Sequence, residues 1–143
     1  MFKLIMFEKC IYFNSNALVR QINKIWDDAF KPFGLSPSHA YVLRLVLNTP
    51  GLSMKQIAED LELAPSTVTR FVDNLIHKDF LKRISANDDK RSTRIHPSQR
   101  AKKIHKALET TGQTLYAQLN KTLGEKDFAT LVTHMRETRQ QLP

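Results

Sequence analysis

At 143 residues, 41% hydrophobic and 25% charged, the chain is long enough for one domain with a sizeable core, and its single cysteine, Cys10, excludes an intrachain disulfide framework. The greasy run from Leu4 to Phe7 is cut by Glu8 and Lys9 before it reaches signal-peptide length, and no stretch approaches a membrane span, so a cytoplasmic protein without a membrane partner is expected. The net charge of +8 is concentrated: residues 66–106 hold eleven cations against four anions, residues 1–65 seven against six, and residues 107–143 four of each.

Taken in order, residues 9–33 place Ile11, Leu18, Ile22, Ile25, Trp26, Ala29 and Phe30 at helical spacing over about five to six turns. Asn14 and Ser15 predict a late start or a bend, and Pro32 and Gly34 an end. Ser36-Pro37 opens a second helix with Ala40, Leu43, Val46 and Leu47 as its buried stripe, stopped by residues 48–51. Ser53 and Gln56 have capping-box spacing, and Met54, Ile57, Ala58 and Leu61 give a helix of about two to three turns. After a short turn at Glu62-Leu63-Ala64, Pro65 begins a helix whose Val68, Phe71, Val72, Leu75 and Ile76 form one apolar stripe.

The opposite face of that helix carries Ser66, Thr67, Thr69, Arg70, Asp73 and Asn74, short hydrogen-bonding groups and a forked guanidinium suited to base edges. Two short helices joined this tightly form a helix-turn-helix. Phe80-Leu81-Lys82-Arg83-Ile84 and Thr93-Arg94-Ile95-His96 read as two strands around a polar, charged turn, a wing. Because the positive charge sits on these elements, it has the pattern of a phosphate-backbone footprint.

Beyond the wing, Ser98 caps a helix expected from about Gln99 to Leu123, with Gly112 marking a bend or close crossing. Gly124 breaks the chain, and Glu125 and Asp127 favour the start of a last helix through its dipole. Phe128, Leu131, Val132 and Met135 are expected to be its buried face.

The run Pro65-Ser66-Thr67-Val68-Thr69-Arg70, the Asp88-Asp89-Lys90-Arg91 wing tip and the Ser-capped helix after it resemble the MarR family of winged helix-turn-helix transcription regulators, over residues 35–100. The resemblance implies a mainly α fold with a small β-wing: an N-terminal dimerisation helix (1–34), a winged helix-turn-helix DNA-binding domain (35–98) and C-terminal dimerisation helices (99–143). It implies a homodimer on a pseudo-palindromic site in double-stranded DNA, acting as a repressor and released by a small aromatic or phenolic effector. In a winged helix the second helix enters the major groove, so Ser66, Thr67, Thr69, Arg70 and Asn74 are the DNA-binding candidates there, with Ser53 and Lys55 at the backbone. By resemblance Arg91 enters the minor groove, with Asp89 supporting the wing by orienting it, and Lys90 and Arg94 meet phosphates. Pro97 departs from the family pattern and puts the exit of the second strand in question, because proline cannot donate to a ladder. The resemblance sets an effector crevice beside the dimer helices, which Trp26, Phe30, Phe33, His39 and Tyr41 can line.

Two rival readings follow from the residues. Cys10 can make the chain a redox-sensing regulator, although Lys9 alone is thin support for a stabilised thiolate. A winged-helix protein-interaction module without DNA binding would have neutral or acidic residues where this chain is basic. No phosphate-binding glycine loop, nucleophile elbow or paired-histidine motif occurs among four glycines, so no enzyme and no cofactor are expected. Five scattered histidines give no metal-ligand spacing.

Overall fold

The computed structural model describes residues 6–85 and 93–143. Its elements are α1 (Ile11–Phe30), a 3-10 turn (Lys31–Phe33), α2 (Pro37–Asn48), α3 (Met54–Leu61), α4 (Pro65–His77), β1 (Leu81–Ser85), β2 (Thr93–Pro97), α5 (Gln99–Leu123) and α6 (Glu125–Gln141). The chain divides into two compact units, Met1–Leu108 and Glu109–Pro143. The fold is mainly helical with a two-stranded wing.

Most helix ends in the first unit follow local chemistry. Asn14 lies inside α1, and its side-chain amide donates to the carbonyls of Phe7, Glu8 and Cys10 at 2.9, 3.1 and 2.8 Å, tying the preceding turn to the helix. Gly34, at φ 67°, lets the chain leave the 3-10 turn through the left-handed region. Ser36 accepts the backbone N–H of His39 to start α2. Ser53 and Gln56 form the full capping box of α3, with bonds of 2.9 and 3.2 Å. Glu62 takes the left-handed conformation (φ 54°) that turns the chain between α3 and α4. Ala64, at the start of α4, supplies no side-chain cap.

The core of this unit gathers Leu43, Val46, Ile57, Val68, Val72, Leu75, Ile95 and Leu108, all fully buried. α2, α3 and β1 all pack against α4, so the stripe read from its periodicity is enclosed on three sides. β1 and β2 pair antiparallel, with Leu81 opposite Pro97, Arg83 opposite Ile95 and Ser85 opposite Thr93. Leu52, just ahead of α3, adds a bridge to Ile95, whose N–H donates to the Leu52 carbonyl at 2.8 Å.

Pro97 does not disturb the strand exit. It is the last residue of β2, and the next N–H, on Ser98, donates to the Phe80 carbonyl at 2.9 Å. Ser98 is itself buried: its Oγ accepts the Ala101 N–H that starts α5 and donates to the Asp79 carbonyl at 2.6 Å. Gly112 lies within α5 without interrupting it.

In the second unit, Glu125 and Asp127 occupy the first turn of α6, and the rings of Tyr116 and Phe128 meet with centroids 5.5 Å apart. The face of α6 expected to be buried is instead largely open. Leu131, Val132 and Met135 are 39%, 41% and 47% exposed, and Phe128 only half-buried. An amphipathic helix hides its stripe only where an opposing surface is offered, and this unit holds little besides the end of α5. α1 behaves similarly: Ile11, Val19 and Ile25 are exposed, and Phe30 alone is fully buried.

Candidate nucleic-acid interface

With Val68, Val72 and Leu75 locked in the core, the opposite side of α4 is directed to solvent. Ser66, Thr69 and Arg70 are exposed there and Thr67 is half-buried. Thr69 Oγ1 donates to the Pro65 carbonyl at 3.0 Å, so its hydroxyl proton is spent within the helix, leaving lone pairs and a methyl group outward. The Arg70 guanidinium carbon lies 5.7 Å from the Phe71 ring centroid, which steadies the side chain while leaving its fork open. Asn74, half-buried like Thr67, differs from these four in that its Oδ1 is shut off from solvent without a hydrogen-bond partner.

On α3, the Ser53 hydroxyl accepts within the capping box and keeps its own proton to give. Lys55 is extended into solvent, 3.8 Å from Glu59 at an i,i+4 position that contributes little. Met54, Ala58, Leu63 and Pro65 line the apolar side of an open groove of about 400 Å³ between α3 and α4, with Lys55, Glu59 and Thr69 at its edge.

On the wing, Arg94 is exposed. Asp89, Lys90 and Arg91, the expected wing-tip residues, lie outside the described residues. Three cations counted in the basic footprint are engaged with the protein itself. Arg83 donates to the Asp73 carboxylate. Lys78 Nζ donates to the Gly34 carbonyl at 2.9 Å, and Arg100 donates to the Lys78 carbonyl at 2.6 Å with its guanidinium 4.4 Å from the Phe80 centroid. Their charge still adds to the local potential, but their donors hold elements together. Sequence reasoning missed these roles because the partners lie 10, 44 and 22 residues away.

His39 joins α2 to the root of this face. Its Nδ1 is 2.9 Å from Ser36 Oγ, and its ring meets Phe71 edge-on with centroids 4.8 Å apart. Burial, and then the charges of Lys78 and Arg70, hold the imidazole below its ordinary pKa. Of the aromatic residues set against an effector crevice, Phe30 is core, 6.4 Å from both Phe33 and Tyr41, and Trp26 Nε1 donates to the Tyr41 hydroxyl at 3.1 Å. Cys10 is half-buried immediately before α1. Among the described residues, no cluster of His, Cys, Asp or Glu is arranged to hold a metal ion, and no helix is long and apolar enough to cross a membrane.

Residues 35–93 match the model of the MarR family. The regulator Hpr of Geobacillus thermodenitrificans (strain NG80-2), named an HTH-type transcriptional regulator, is 31% identical over 110 residues, 76% of this chain and 55% of the relative. The chain thus spans about half the length of that relative. The S. aureus MepR–DNA complex superposes with a TM-score of 0.82 at 17% identity, covering 93% of this chain and 98% of MepR. The transcriptional regulator PcaV from Streptomyces coelicolor, in complex with its natural ligand, gives 0.81 at 18% identity over 94% of each chain. Family and neighbours are transcriptional regulators rather than enzymes. The helix-turn-helix, the paired wing strands and the family match fall on the same segment, so residues 35–93 of this chain form a winged helix-turn-helix segment of MarR-family type.

Proposed function

We propose that this chain is a sequence-specific DNA-binding regulator that acts as a homodimer on a pseudo-palindromic operator, as a repressor released by a small aromatic or phenolic effector in the cytoplasm. The observation that carries this reading is α4: one face fixed in the core, the other holding Ser66, Thr69 and Arg70 open to solvent, with Thr67 half-buried beside them, within the chain's basic segment. The first three reach base edges or phosphates, and Arg70 pairs with guanine or a phosphate. Ser53 and Lys55 meet the backbone at the start of α3. The wing supplies Arg91 to the minor groove, supported by Asp89, with Lys90 and Arg94 on phosphates.

Residues 1–34 and 99–143 serve dimerisation and residues 35–98 serve DNA, a division supported by the apolar side chains that α1 and α6 leave open. The MepR complex with DNA and the PcaV complex with its ligand support duplex and effector binding by analogy.

The test is selection of duplexes from a random pool by the full chain, followed by gel shift of the selected duplex against a random one of equal length. Preference for a two-fold symmetric site is expected; equal binding to both, or to neither, rejects the reading. On the selected duplex, Arg91→Ala should weaken binding and reduce the salt slope by about one unit.

A further inference from the structure

Asp73 is out of place on a surface meant for phosphates. It follows Thr69 by four residues and Arg70 by three, so it shares their side of α4, and it is exposed. Left alone, its carboxylate would repel the duplex. It is not alone, because Arg83 of β1 donates to it.

The sheet register explains how Arg83 gets there. Directly opposed residues of an antiparallel pair share a face, and faces alternate along each strand. Leu81, Arg83 and Ser85 therefore share a face with Pro97, Ile95 and Thr93. Leu81, Ile95 and Pro97 on that face are buried. Arg83 thus starts from the core side of the wing, whereas Lys82 and Arg94 lie on the other face. From the core side its guanidinium reaches α4, one turn beyond the residues proposed to touch bases. The ion pair spans the helix meant for the major groove and the strand that leads into the wing.

We infer that Asp73 and Arg83 are positioning residues for DNA recognition: their ion pair sets the pitch of the wing strand against α4, and neither side chain is a DNA contact. This rests on the DNA-binding reading above. The pair is partly exposed, 41% and 55%, so its coupling has the size measured for surface pairs, about a two- to fivefold change in equilibrium per protomer.

The sign of one substitution separates positioning from simple electrostatics. Removing a negative charge beside DNA should strengthen binding if charge alone matters; if the pair positions the wing, Asp73→Asn should weaken it. The experiment measures anisotropy of the wild-type-selected duplex and of a random duplex with full-length D73N, R83Q and the D73N/R83Q double variant across a salt series. Circular dichroism confirms that each variant is folded. The expected result is a loss of about two- to fivefold per protomer for each single variant on the selected duplex, with the double variant no worse than either. The salt slope and random-duplex affinity should stay unchanged in D73N. Tighter binding by D73N, or additive effects with a slope about one unit lower in R83Q, makes Arg83 a phosphate contact and overturns the inference. If the wild type selects no duplex, the DNA-binding reading fails and the positioning role falls with it. A selecting wild type with an uncoupled pair sinks this inference alone.

Discussion

Helices α4 and α6 both carry apolar side chains three and four residues apart, yet α4 encloses its stripe and α6 leaves Leu131, Val132 and Met135 open. Around α4 the chain supplies α2, α3 and β1, so the helix is immobilised from behind and only its polar side is free to meet a ligand. Around α6, the Glu109–Pro143 unit supplies little beyond the end of α5. The contrast separates two settings of amphipathicity: one stripe is closed over by its own unit, and the other is left open within its unit.

The largest test of the contrast is in the core. Leu75→Ala should cost about 2–5 kcal/mol of unfolding free energy by denaturant titration, whatever the protein concentration, because it opens a cavity inside a closed unit. A loss under about 1 kcal/mol would mean that the α4 stripe is loosely enclosed.

On α6, the double substitution Leu131→Glu with Met135→Glu should act mainly on association. Losing apolar burial at two half-exposed positions should weaken a homodimer by about 2–3 kcal/mol, roughly 30- to 150-fold in dissociation constant. Sedimentation equilibrium reads this directly. An unchanged constant would place the dimer contact elsewhere or remove it.

Smaller effects come from the helix starts. Ser98→Ala removes both the cap of α5 and a buried bond to the Asp79 carbonyl, and should lower stability by about 1–2 kcal/mol. Ala64→Ser should do the reverse at α4, adding about 0.5–1 kcal/mol, since Ala64 already has the extended conformation of a cap residue and lacks only the oxygen. Thermal melts of the two variants should move in opposite directions; a shift the same way for both would show that capping does not limit either helix.

These starts were legible because their chemistry is local: Ser36, Ser53 and Ser98 each accept the N–H three residues on, a spacing visible in the chain. The stripe of α4 was legible for the same reason. Periodicity cannot say whether a partner surface exists, which is why α6 was expected to be buried. Nor can it say which cations are spent: Arg83, Lys78 and Arg100 find acceptors far along the chain, and only the folded register of β1 brings Arg83 to Asp73. Asn74 looked like the other polar residues of its face, but the third turn of α4 carries it partly under neighbouring packing.

The finest test concerns the joint between α2 and α4. His39 sits edge-on against Phe71, and burial, together with Lys78 and Arg70, lowers its pKa below the ordinary value of about 6.5. The folded chain therefore binds this proton more weakly than the unfolded chain does. Above about pH 6.5 both states hold a neutral ring and the site costs nothing. As pH falls through that value the unfolded state takes up the proton first, so stability is lost until the lowered folded pKa is reached. The ring is partly solvated, which screens the two cations and makes this the smallest effect of the set. His39→Gln should flatten the decline between about pH 7.5 and pH 5.5 in denaturant titrations, by the share that this ring contributes. If wild type and variant lose stability in parallel, the ring does not titrate against α4, and the cations near it are held farther off or better hydrated than the packing around Phe71 implies.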